Sequence, residues 1–174
     1  MSTSHLKDPS QKDGLSVDTF LSELRLIQET SSKRIALIGS RHISFTHQQL
    51  IEMLAYALAL SGNHIITSGA SGTNFAVIKG VQRANPGNLT VILPQTLEQQ
   101  ASESREQLST LPSVQEHPER RALTLAQAGE LCYREIVDEC QQLICFLYHG
   151  STTLKETIAY AHEQHKIVTS FYLD

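Results

Sequence analysis

The sequence predicts an α/β chain built on a single doubly wound parallel sheet with an extra N-terminal helix, and three observations carry that reading. Short runs that are apolar on both sides of a would-be strand recur along the chain, as parallel strands buried on both faces require. Amphipathic helical stretches alternate with them, and right-handed crossovers then make the strands parallel. Turns of small residues close the runs at their carboxyl ends, where such a sheet opens its ligand crevice.

Met1 to Gly14 is polar and lacks periodicity, so residues 1–14 are expected to form a flexible leader. Val17, Phe20, Leu21, Leu24 and Ile27 mark a short amphipathic helix within residues 15–32, and residues 33–174 form the α/β domain. The first strand is Ile35 to Ile38, ended by Gly39. Thr46, with Gln49 three residues on, has the spacing of a capping box for the next helix. That helix repeats apolar residues at Leu50, Leu54, Ala57 and Leu58 and stops at Gly62. Ile65 to Thr67 is the second strand, followed by the turn Ser68-Gly69-Ala70-Ser71-Gly72-Thr73-Asn74 and a helix to Ala84. Asn85-Pro86-Gly87-Asn88 breaks that helix, and Leu89 to Leu93 is a third strand ended by Pro94.

Glu98 to Leu111 has helical composition, Pro112 to Arg121 reads as irregular, and Ala122 to Gln141 reads as a helix broken near Gly129. Leu143 to Leu147 is the fourth strand, and Tyr148 to Thr153 its carboxyl-end turn. A last helix with Leu154, Ile158, Ala159 and Ala161 leads to a fifth strand, Ile167 to Tyr172. The sheet order expected is 3-2-1-4-5, which sets the first and fourth strands side by side with the crevice between their following loops. Gly39-Ser40-Arg41 and Gly150-Ser151-Thr152-Thr153 then face one another, with Ser68 to Asn74 alongside. Convergent N–H groups at such turns suit an anion, and Arg41 is the cation beside them.

At 174 residues, 40% hydrophobic and 18% charged, the chain has the composition of one globular domain. No apolar run approaches the ~20 residues that a membrane helix needs, and the polar start is not a signal peptide. Cys132, Cys140 and Cys145 lack metal-type spacing and cannot all pair, so free thiols in a cytoplasmic protein are expected. The formal net charge of −4 excludes a broadly basic nucleic-acid surface. It leaves a local patch drawn from Lys33, Arg34, Arg41, Lys79, Arg83, Arg105, Arg120 and Arg121. His42, His47 and His149 lie near the crevice mouth, but no carboxylate or Cys completes a ligand set, so no metal is expected.

Gly39-Ser40-Arg41, the turn from Ser68 to Asn74, and Tyr133-Arg134-Glu135-Ile136-Val137 together resemble a family over about residues 33–174. It is the Rossmann-like group of DNA-processing protein A (the DprA/Smf recombination mediators), related to the LOG-type phosphoribohydrolases. The chain is most similar to short, stand-alone DprA-like proteins of the kind found in cyanobacteria. Gly39-Ser40-Arg41 is similar to the family's G-S-R, and Ser68 to Asn74 to its S-G-G-A-R-G-T-D, shortened by one glycine. Asn74 replaces the family Asp, Ser71 its Arg, and Cys132 the first Arg of its R-N-R.

The resemblance implies a nucleotide-like or single-stranded DNA ligand, a homodimer, no membrane contact and no cofactor. The ligand residues implied are Gly39, Ser40, Arg41, Ser68, Gly69, Ala70, Gly72, Thr73, Asn74, Arg134, Gly150, Ser151, Thr152, Thr153 and Glu156. The LOG-type enzymes carry P-G-G-x-G-T-x-x-E after the fourth strand. Here Gly150, Thr153 and Glu156 match, whereas Tyr148, His149 and Thr152 replace the Pro and two glycines. The enzymes' upstream Arg falls on Tyr133, or on Arg134 with a one-residue slip. The favoured expectation is a non-catalytic binding protein. The alternatives are hydrolysis of a nucleoside 5′-monophosphate and a dimerising scaffold without a ligand.

Overall fold

The computed structural model describes residues 16–19, 21, 22, 33–69 and 71–174. It divides into two compact units, Met1–Ser31 and Ser32–Asp174. In the first, the described residues Val17, Asp18, Thr19, Leu21 and Ser22 are helical, and the expected leader lies outside the described residues.

The second unit is a six-stranded, all-parallel sheet. Its strands are β1 (Arg34–Gly39), β2 (His64–Thr67), β3 (Leu89–Ile92), β4 (Val114–Gln115), β5 (Gln142–Leu147) and β6 (Ile167–Tyr172). They lie in the order β4-β3-β2-β1-β5-β6, so the predicted order stands with one short strand added at the β3 edge. That strand falls in the stretch expected to be irregular. It spans two residues, pairing Val114 with Val91 and Gln115 with Ile92, too short for any periodicity to mark it. The β1–β5 register places Gly39 opposite Phe146, which brings the two carboxyl ends level.

Five helices cover both faces: α1 (Phe45–Leu60), α2 (Thr73–Ala84), α3 (Ser102–Leu108), α4 (Leu125–Glu139) and α5 (Thr152–Glu163). Alternate residues of β1 divide the core as a pleated strand must. Ile35 and Leu37 pack with Ile51, Ala55 and Ala59 of α1 and with Val77 and Val81 of α2. Ala36 and Ile38 pack with Cys132, Ile136 and Val137 of α4 and with Leu154 and Ala161 of α5. Burial of Leu37, Ile38, Ile65, Ile66, Leu143 and others to below 2% exposure accounts for their apolar runs.

Two helix ends differ from expectation. The α1 cap is Ser44, not Thr46: its extended backbone and its hydroxyl, which accepts from the His47 N–H at 3.1 Å, start the helix earlier. Helix α4 runs unbroken through Gly129, because Thr124 and Gln127 form a capping box that fixes its start and one glycine costs only about 1 kcal/mol.

Candidate binding crevice

The turn after β1 is held by three hydrogen bonds. The Ser40 N–H donates to the Phe146 carbonyl at 2.9 Å, tying the turn to β5. The Ser40 carbonyl accepts from both the N–H and the hydroxyl of Thr73, at 3.1 and 2.9 Å, tying it to the start of α2. A Cβ on Gly39 would meet the Phe146 carbonyl and lie 2.6 Å from Thr73 Oγ1, so only glycine lets these segments close up. Gly72, with φ of 71°, caps α2, and a Cβ there would strike the Arg41 carbonyl. Gly72 and Thr73 are thus the buried underside that positions Ser40 and Arg41.

Asn74 is fully buried beside Thr67. The Thr67 hydroxyl donates to the Leu37 carbonyl at 2.6 Å and lies 3.3 Å from Asn74 Oδ1, while Asn74 Nδ2 has no partner among the described residues.

Two cavities flank Arg41 and Tyr133, which line both. The larger, about 450 Å³, lies between the β1 and β5 ends, against Gly39, Ser40, Gly150, Ser151 and Thr153. Helix α5 opens on it with Ser151 as N-cap and no side-chain cap bond. Its first-turn N–H groups are left for solvent or a ligand. The smaller, about 170 Å³, holds Ser68 and Ser71 of the β2 turn together with Pro94, Gln100, Ser104, Leu125 and Cys132.

The remaining predicted residues lie elsewhere. Gly69 packs on Leu93 and Leu108, where a Cβ would lie 2.5 and 3.0 Å from their methyl groups. Thr152 and Glu156 are exposed on α5 and line neither cavity. Arg134 faces Glu130 at 3.3 Å and sits over the Tyr160 ring, away from both cavities. Ala70 lies outside the described residues. Gly150 has open space where a Cβ would stand, so its backbone does not demand glycine.

Half of the expected basic patch is spent on carboxylates. Arg34 faces Glu139 at 3.4 Å, Lys79 and Arg83 face Glu52 at 3.9 and 3.0 Å, and Arg120 faces Glu135 at 3.2 Å. Arg41 is exposed and faces no carboxylate among the described residues. Burial pushes the Tyr133 phenol up to about 12 against the opposing pull of Arg41, and pushes the Cys132 thiol up to about 12. Both are therefore neutral, and neither is a ready nucleophile.

His149 turns to the chain's last residues. Its ring Nδ1 and backbone N–H lie 2.8 and 3.0 Å from Asp174 Oδ1, and its ring stacks on Tyr172. The backbone N–H of His149 is the foremost cause holding the Asp174 carboxyl below its ordinary value. Among the described residues no group of three His, Cys, Asp or Glu could hold a metal ion, and no helix is long and apolar enough to cross a membrane. Among the described residues the lining thus offers one Arg, one His, hydroxyls, amides and the Cys132 thiol, and no carboxylate. It can hold and orient an anion, but it places no acidic group beside one.

Tyr133, Tyr148, Gln100 and Ser104 were absent from the sequence-derived set. Tyr148 and Tyr133 carried a signal, since each stands where the LOG-type motif has a Pro or an Arg. Gln100 and Ser104 carried none beyond following a strand's carboxyl end.

No protein-family model matches the chain, and no curated protein matches it in sequence. Its fold is shared with solved structures. DNA processing protein A from Helicobacter pylori superposes with a TM-score of 0.67 at 14% identity, over 82% of this chain and 66% of that one. The chain shares its fold with part of DNA processing protein A. The Streptococcus pneumoniae DprA gives a TM-score of 0.63 at 17% identity, over 83% of this chain and 52% of that one. The chain thus spans under two thirds of either DprA. A molybdenum cofactor binding protein from Rippkaea orientalis gives 0.57 at 18% identity, over 83% of this chain and 78% of its own. The H. pylori protein is described as binding single-stranded DNA.

Proposed function

We propose that this chain is a non-catalytic binding protein that holds a nucleotide, or one phosphate and base of single-stranded DNA, in the crevice between the β1 and β5 ends. The observation that carries this reading is Arg41: an exposed cation with no carboxylate partner among the described residues, lining both cavities. An anion beside it gains a charge-assisted contact, and the first turn of α5 adds N–H groups of matching sign. The single-stranded DNA named for the H. pylori protein of this fold is the ligand class that agrees with it. The lack of any carboxylate among the described lining residues favours binding over hydrolysis.

On this reading, residues 33–174 are the binding domain, residues 1–14 a leader and 15–32 an accessory helix. The protein is a cytoplasmic homodimer with a role in DNA uptake or recombination. Three buried, unpaired cysteines agree with a reducing compartment. The exposed Ile167, Phe171 and Tyr172 of edge strand β6 agree with a second copy. Calorimetric titration of thymidine 5′-monophosphate and of oligothymidylate tests the binding. Arg41→Ala is expected to weaken it by about 1.5–3 kcal/mol, the worth of a hydrogen bond to a charged group, with the melting temperature unchanged. A variant that melts many degrees lower yet binds equally well would make Arg41 a structural residue and remove the site.

A further inference from the structure

The smaller cavity carries chemistry of a different kind from the crevice beside it. Ser104 is 7% exposed, lines the cavity, and its hydroxyl makes no hydrogen bond to a described residue. Ser68 is 6% exposed, and its hydroxyl has only the Cys132 sulfur, at 3.7 Å. The single Cys132 proton already goes to the Ile92 carbonyl at 3.3 Å, so the Ser68 proton has a weak acceptor at best.

Gln100 adds an amide with no described partner, its oxygen close to the backbone of Gly69. Its neighbour Gln99 shows what a spent amide looks like: its oxygen accepts from the N–H and hydroxyl of Thr96, and its nitrogen donates to the Arg121 carbonyl at 3.3 Å. Buried polar groups in folded proteins are as a rule paired, so the buried Ser104 hydroxyl, the weakly held Ser68 hydroxyl and the half-buried Gln100 amide around one space point to a ligand. Pro94, Leu125 and the neutral Tyr133 supply apolar and aromatic walls.

Neutral groups that both donate and accept, set between apolar walls, match the edge and faces of a heterocyclic base and not an anion. At about 170 Å³ the space suits one planar ring system. Arg41 and Tyr133 line this cavity and the crevice alike, which puts a phosphate subsite next to it.

We propose that the Ser68–Gln100–Ser104 cavity is a nucleobase pocket, taking the base of the nucleotide whose phosphate lies at Arg41. This rests on the crevice reading given above and refines it, keeping the phosphate in the crevice and placing the base in the adjoining cavity.

The two can fail separately. Adenosine 5′-monophosphate, thymidine 5′-monophosphate and ribose 5-phosphate are titrated into the wild-type chain and into Gln100→Leu, which keeps the side chain's size and removes its amide. At least one nucleotide is expected to bind the wild type roughly tenfold or more tighter than ribose 5-phosphate. Gln100→Leu is expected to lose most of that advantage while binding ribose 5-phosphate as before, which also reports that the variant is folded. Equal affinity of the wild type for all three compounds would overturn the base pocket and leave the phosphate crevice standing. A Gln100→Leu variant that loses ribose 5-phosphate in equal measure, or loses nothing, would overturn the pocket as well. If none of the three binds, crevice and pocket fall together.

Discussion

Replacing Gly72 by alanine adds one methyl group at the point where α2 begins beneath Arg41. Two costs follow from the geometry. The residue has φ of 71°, which for a side chain with a Cβ costs roughly 1–2 kcal/mol. The new carbon would meet the Arg41 carbonyl oxygen and lie 2.5 Å from its carbon and 2.8 Å from its Cα, all backbone atoms that cannot rotate away. Overpacking of that kind costs about 1–3 kcal/mol, so the sum is about 2–5 kcal/mol. For 174 residues that lowers the melting temperature by roughly 4–20 °C. Calorimetric melting checks it, with Gly150→Ala as the control, since a Cβ on Gly150 meets nothing within 4 Å and should change stability by less than about 0.5 kcal/mol. A Gly72→Ala protein melting within about 1 °C of wild type would refute both the backbone geometry and the support it gives Arg41.

Single-stranded oligonucleotide binding should show a log-log salt slope of roughly −2, from about three phosphates at −0.7 each, and duplex should bind worse. A slope several times steeper would mean a basic surface beyond Arg41. Nucleoside 5′-monophosphates should be bound and not cleaved, because Glu156 lies on the exposed side of α5, outside both cavities. Release of free base that Glu156→Ala abolishes, followed chromatographically, would show the chain to be an enzyme. His64, whose ring lies 2.7 Å from the Thr90 hydroxyl, has its pKa lowered from 6.5, chiefly by burial and then by Arg34. The fold therefore favours the neutral ring, so its contribution is full above pH 6.5 and falls as pH drops toward the lowered value. Urea denaturation across that window should show stability declining with acid, and His64→Gln should flatten the decline.

The sheet was legible because its strands are buried on both faces, and Ile35 to Ile38 or Leu143 to Leu147 leave no polar residue to confuse the period. Strand β4 was not, because its two residues owe their conformation to pairing with Val91 and Ile92. The pairing of Gly39 with Gly72 around Ser40 and Arg41 could be anticipated as a convergence of turns. Which turn residues face the cavities could not, since Thr73 and Asn74 point inward to Ser40 and Thr67 while Ser68 faces a second cavity. Arg134 illustrates the general limit: a helix cation has several partners within reach, and only the fold shows Glu130 and Tyr160 taking it.

The central claim is that the β1 and β5 ends form one anion site governed by Arg41. A crystal structure of the protein with thymidine 5′-monophosphate or a short oligothymidylate tests it most directly. The account predicts a phosphate oxygen about 3 Å from the Arg41 guanidinium and from first-turn N–H groups of α5, between Gly39 and Gly150. A phosphate bound on another face of the sheet, or an empty crevice at saturating ligand, would contradict it.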